Sequence, residues 1–151
     1  MSQENVEIVR RYFDAVKRSL DAHWDNPRSA AAAMSADDLN PAQREVVGFT
    51  HVDVEWRNAF GLIFKGQLDF ANGVDQLLEA TNDFWIEVQE VTDLGGDRVL
   101  AVVRSAMKGK DSEIEVSQTV FSLMTLREGL LVRVEEYLHR EEALEAAGVS
   151  E

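Results

Sequence analysis

The sequence predicts a two-layer α+β domain, with helices first and an antiparallel sheet after them. Three observations carry this. The N-terminal segment repeats apolar residues at helical spacing. The second half falls into four long stretches bounded by Gly95-Gly96-Asp97, Gly109-Lys110-Asp111 and Glu128-Gly129, which read as tight turns joining an antiparallel meander. The last stretch, residues 129–140, alternates so that one face is apolar except for a single carboxylate, Glu136.

Residues 3–20 read as the first helix, with Ser2 as its N-cap and Val6, Val9, Phe13, Val16 and Leu20 on one stripe that Ile8 and Tyr12 widen. Asn26-Pro27 and Asn40-Pro41 each place a capping residue before a proline, which predicts short helices over 27–35 and 41–49 with a link at 35–38. Residues 52–60 alternate as a strand, with Val54, Trp56 and Asn58 on one face and Asp53, Glu55 and Arg57 on the other. A short strand is expected at 63–66. A helix follows over 69–83, capped by Asp69, with Phe70, Val74, Leu77, Leu78 and Thr81 on its stripe. The meander strands are then 85–94, 98–108, 113–127 and 129–140. On the last, simple alternation puts Leu130, Val132, Val134, Glu136 and Leu138 on one face and Leu131, Arg133, Glu135, Tyr137 and His139 on the other. A terminal helix over 141–147 stops at Gly148. Neither a repeat nor a linker interrupts the chain, so residues 1–151 are read as one domain.

Composition narrows the function. With 15 Lys and Arg against 28 Asp and Glu, the formal charge is −13, so nucleic acid and anionic membrane are not expected partners. No cysteine is present, which removes thiolate catalysis, disulfides and cysteine-based zinc sites. The first residues are polar and acidic, and no apolar run reaches the ~18 residues of a membrane span. Neither a signal peptide nor a span is read, and the cytoplasm is the expected location. His23, His51 and His139 are scattered without metal-binding spacing, and there is no phosphate loop and no serine-nucleophile motif. No metal or cofactor is expected.

The order of elements, together with Arg11-Tyr12-Phe13, Asp53-Val54-Glu55-Trp56-Arg57-Asn58, Phe64-Lys65-Gly66, Thr125-Leu126-Arg127-Glu128-Gly129 and Val132-Arg133-Val134-Glu135-Glu136-Tyr137, resembles the nuclear transport factor 2-like superfamily, and within it the SnoaL-like domains. The resemblance covers nearly the whole chain. It implies a conical, strongly curved and mostly antiparallel sheet closed by helices, a pocket at the wide end, and a homodimer. The superfamily includes ketosteroid isomerases, polyketide cyclases, dehydratases and plain binding domains. On the isomerase pattern, the oxyanion-donating tyrosine matches Tyr12. The catalytic aspartate matches Asn58, and the second, protonated aspartate falls near Ser122. Asparagine accepts no proton as a base, so that mechanism is not expected here.

The candidate site residues follow. Glu136, on an apolar face, is placed as a general acid or base whose pKa burial raises. If instead it is paired with an arginine, Arg104 is the candidate. Tyr12 is a hydrogen-bond donor into the pocket. Trp56 offers a flat apolar wall, Asn58 a donor and an acceptor, and Gln118 and Ser122 polar contacts from one face of their strand. Trp24, with His23, is placed near the pocket mouth. The mixed face of Arg133, Glu135 and Tyr137 is the candidate dimer surface. Two functions stay open: cofactor-free acid/base catalysis on an apolar or polyketide-like molecule, as an isomerase, cyclase or hydratase, and a ligand-binding or dimerisation module without turnover.

Overall fold

The computed structural model describes residues 2–25, 36–79, 81–109, 112 and 114–149. Its elements in chain order are α1 (Ser2–Asp25), a single 3-10 turn (Ala36–Asp38), α2 (Pro41–Val47), β1 (Thr50–Arg57), β2 (Ile63–Lys65), α3 (Gln67–Glu79), β3 (Thr81–Gly95), β4 (Arg98–Gly109), β5 (Glu115–Arg127), β6 (Leu130–Tyr137) and α4 (Arg140–Ala147). The expected helix over 27–35 lies outside the described residues.

The six strands form one sheet in the order β2-β1-β6-β5-β4-β3. The meander β3 to β6 is antiparallel throughout, as the turns predicted. β1 joins it by running parallel to β6, and β2 folds back antiparallel on β1, so the sheet is mixed. The parallel pairing was not anticipated. Register shifts interrupt the ladders within β1–β6, β3–β4 and β5–β6. Such bulges bend a sheet and increase its twist, which curves this one around its inner face.

That inner face is covered by α1 and α3. Val9, Tyr12 and Phe13 of α1 and Phe70 of α3 join Val54, Trp56, Val99, Val103, Met124 and Val134 of the sheet in one core. α1 runs five residues further than periodicity suggested. α2 begins at the predicted asparagine: Asn40 Oδ1 accepts from Gln43 N–H at 2.8 Å, and Gln43 Oε1 accepts from Asn40 N–H at 2.9 Å, a reciprocal capping box. The Gln43 amide then donates to Asp75 of α3 at 2.9 Å, tying α2 to α3. Gln67 Nε2 fastens the start of α3 to β1 through Thr50 O at 3.0 Å.

Three expectations are corrected. Asp69 does not cap α3 from outside. It lies in the first turn, and its carboxylate accepts from Lys65 N–H at 2.8 Å. Thr81 belongs to β3 rather than to the helix; its hydroxyl donates to the carbonyls of Leu77 and Leu78, each at 3.3 Å, and closes the helix end as the strand begins. The third concerns β6. Thr125 pairs with Arg133 and Leu126 with Leu131, so Val132 is an extra residue in the ladder. The bulge reverses the phase of the strand. Leu131, expected opposite to Glu136, is 0% exposed in the inner core with Val134. Val132 instead borders a groove on the outer face with Arg133 and Glu135.

α4 packs on that outer face. Ala143 and Leu144 meet Leu94, Leu100, Val102, Phe121 and Tyr137, a second and smaller apolar cluster. Gly148 takes φ 73 after the helix, and its N–H donates back to Glu145, the left-handed stop that the sequence predicted. No helix among the described residues is long and apolar enough to cross a membrane.

Candidate functional site

The register of the sheet sets what faces the helices. One row across the inner face reads Phe64, Trp56, Val134, Met124, Val99. The next brings Glu136 beside Ser122 and Ala101. Further along are Val120 beside Val103, and then Gln118 beside Ser105 and Ile86. The helices do not fill the space over these rows. A cavity of about 370 Å³ remains, walled largely by aliphatic and aromatic side chains.

Tyr12, Trp56, Asn58, Gln118, Ser122 and Glu136 all line this one cavity. They arrive from five places in the chain: α1, β1, the turn after β1, β5 and β6. Trp24 falls within α1, but its side chain lies outside the described residues, as does that of His23.

Glu136 is enclosed by this wall, and burial pushes its pKa up to about 7. Two donors work against that rise, the indole N–H of Trp56 and the backbone N–H of Ala59. The Trp56 N–H is buried and completes no hydrogen bond of good geometry among the described residues. It nevertheless lies close enough to the carboxyl to favour the anion. Arg104 does not neutralise Glu136. It is exposed, with its guanidinium 5.7 Å from the centre of the Trp85 ring. The Tyr12 phenol is held well above its ordinary range, first by burial and then by the charge of Glu136, so it stays protonated and can donate. Its ring is fixed edge-on against Phe13 and Phe49, at 5.0 and 6.2 Å.

Trp56 is stacked on Phe64 at 4.9 Å and tilted against Phe70 at 5.4 Å, so it is both core and cavity wall. α3 comes this close because residue 73 is glycine. A Cβ there would stand 2.8 Å from a Phe64 ring carbon and 3.0 Å from one of Trp56.

Asn58 differs from expectation. Its Oδ1 accepts from the N–H groups of Phe60 and Leu62, each at 3.0 Å, and its own N–H donates to Leu62 O at 2.9 Å. The acceptor assigned to a ligand is engaged in building the β1–β2 turn. The same turn carries Ala59, whose N–H faces Glu136. Asn58 thus shapes the environment of the carboxyl through the backbone.

Sequence reasoning passed over Ser105, a buried hydroxyl on β4 that also lines the cavity. Leu100, Val102 and Ala106 are buried as well as Val99, Ala101 and Val103, so the strand is apolar on both faces and its alternation marks no inside. Among the described residues no group of three or more His, Asp or Glu is placed to hold a metal ion.

No protein-family model matches the chain, and no curated protein matches its sequence. Solved structures do resemble it. An NTF2-like protein of unknown function from Burkholderia pseudomallei is 13% identical and superposes with TM-score 0.68 over 96% of this chain and 97% of that one. A candidate SnoaL-like polyketide cyclase from Jannaschia sp. CCS1 is 18% identical, with TM-score 0.67 over 100% and 96%. A hypothetical protein of ketosteroid isomerase-like fold from Catenulispora acidiphila, solved with trimethylamine, is 12% identical, with TM-score 0.60 over 74% and 85%. At these identities the likeness speaks for the fold: the curved, mostly antiparallel sheet with its helices on the inner face is the nuclear transport factor 2-like fold, shared with ketosteroid isomerase-like and SnoaL-like proteins.

Proposed function

We propose that the cavity binds a small, mainly apolar molecule and that Glu136 exchanges a proton with it, in cofactor-free acid/base chemistry of the isomerase, cyclase or hydratase kind. The supporting observation is the position of Glu136, a carboxyl set in the wall of an apolar cavity beside a protonated Tyr12 and without a cationic partner among the described residues. A carboxyl with a pKa near 7 takes and returns protons at neutral pH more readily than an ordinary glutamate. Tyr12 would donate to the oxygen on which charge develops.

The test is exchange of the α-protons of an apolar ketone, β-tetralone, into deuterated water, followed by NMR. The expected rate saturates with ketone and rises as pH passes about 7. Glu136→Gln is expected to abolish it while ketone binding persists. Exchange at the buffer rate with binding retained would leave the second reading, a binding module without turnover. That reading is favoured by Asn58, which the resemblance sets where the isomerase base would be and which has its carbonyl committed to the turn.

The outer face is the surface proposed for a second copy. Its groove carries both signs of charge, with Arg98, Arg127 and Arg133 alongside Asp53 and Glu135, as a self-complementary contact needs. Sedimentation at micromolar concentration is expected to show a dimer, which charge reversal at Arg133 weakens. A monomer there removes the proposal.

A further inference from the structure

We propose that the cavity takes a molecule with an uncharged oxygen function at each end of an apolar body, and that Ser105 and Gln118 hold the second of these. The inference rests on the reading of the cavity as a ligand site and adds the class of ligand. Among the described residues of the inner sheet face, the polar side chains that line the cavity lie in two places. One is the cross-strand pair Glu136 and Ser122, with Tyr12 and Trp56 beside it. The other is the cross-strand pair Gln118 and Ser105. Between them lies an apolar band in which Val120 pairs with Val103 and Val103 with Val88.

Ser105 is only 6% exposed, on a strand whose next inner residues, Val103 and Met107, are apolar and line the same cavity. A polar group set in such a wall carries a desolvation cost unless it is hydrogen-bonded. The structure gives neither Ser105 Oγ nor the Gln118 carboxamide a hydrogen bond to another described residue, so both are open to a ligand. Together they supply donors and acceptors without charge, which suits a hydroxyl or carbonyl better than a carboxylate, phosphate or ammonium.

The spacing limits the molecule. Residues 118 and 122 are four apart on one strand, ~13 Å between backbones, so the two polar places stand about that far apart along the cavity wall. A volume of about 370 Å³ lies near the small end of the ~300–1,000 Å³ typical of ligand pockets. A compact, rigid pair of rings with oxygens at opposite ends meets both limits.

Calorimetry with para-hydroxybiphenyl and para,para′-dihydroxybiphenyl tests this. The second hydroxyl is expected to tighten binding ~3–10-fold. Ser105→Ala and Gln118→Leu should each reduce that gain. In the unsubstituted protein, the Gln118 side-chain amide protons should move downfield with the second hydroxyl, a reading that does not depend on how the variants fold. If the monohydroxy probe binds but the second hydroxyl adds nothing, or its gain survives both substitutions, the second subsite is overturned and the cavity reading stands. If neither probe binds, the cavity reading falls and the subsite with it.

Discussion

The two faces of the sheet treat the same residue type in opposite ways. On the inner face, Glu136 is enclosed by apolar side chains, and burial raises its pKa to about 7. On the outer face, Glu90 meets Arg140 of α4 in a two-pronged contact at 3.1 and 3.2 Å, and this hydrogen bond lowers its pKa. Glu135, the immediate neighbour of Glu136 in sequence, also points outward and accepts from the Tyr137 hydroxyl at 3.0 Å. A glutamate in this chain is therefore a cavity acid or a surface anchor according to the face its strand presents. The face is decided by register, and register is what the largest effect should expose.

Leu131→Ala is expected to cost ~2–5 kcal/mol in denaturant unfolding, because it opens a hole in the inner core. Val132→Ala, on the outer groove, should cost under ~1 kcal/mol. The reverse order would mean that β6 alternates simply and that the bulge is wrong.

The two glutamates should give stability slopes of opposite sign. The folded pKa of Glu136, about 7, lies above its ordinary 4.5. Below the lower value both states are protonated and nothing is lost. Between the two values the unfolded chain releases its proton first, so the folded state loses stability as pH rises, by roughly 3 kcal/mol in full. Glu136→Gln should remove that slope and be more stable than the parent at pH ~8. A parent without it would show Glu136 to be solvated or paired.

Gly73→Ala tests the contact behind the cavity. The added methyl must displace the Phe64 and Trp56 rings, at a cost of ~1–3 kcal/mol. Because Trp56 flanks the Glu136 carboxyl, the same substitution should also shift the pH at which Glu136 titrates, read from the side-chain carboxyl signal in NMR. An unchanged titration would separate the ring stack from the acid.

The smallest effect belongs to the outer face. The Arg140–Glu90 pair is more than a third exposed on both sides, so Arg140→Ala should cost within ~1 kcal/mol. The depressed pKa of Glu90 adds stability above its ordinary value and loses it as pH falls, the reverse of Glu136. A cost of several kcal/mol would show that α4 depends on this pair more than on Ala143 and Leu144.

The sequence by itself determined what depends on near neighbours. Asn40-Pro41-Ala42-Gln43 announces its capping box because all the partners lie within one turn. The Gly95-Gly96-Asp97 turn announces the hairpin because its φ values of 80, 59 and 64 suit those residues. Glu136 was legible as an inward carboxyl because β6 alternates cleanly from Arg133 to Tyr137. Tertiary structure decided the rest. Leu131 changed sides because the bulge at Val132 is set by the partner strand β5. The alignment of β1 beside β6 joins segments far apart in the chain, and no local pattern encodes a parallel pairing between them. Ser105 could not be assigned a side because α4 buries the outer face of β4, which makes both faces apolar. The cavity itself is the space left where α1 and α3 meet a curved sheet, and such a gap exists only once the layers have packed.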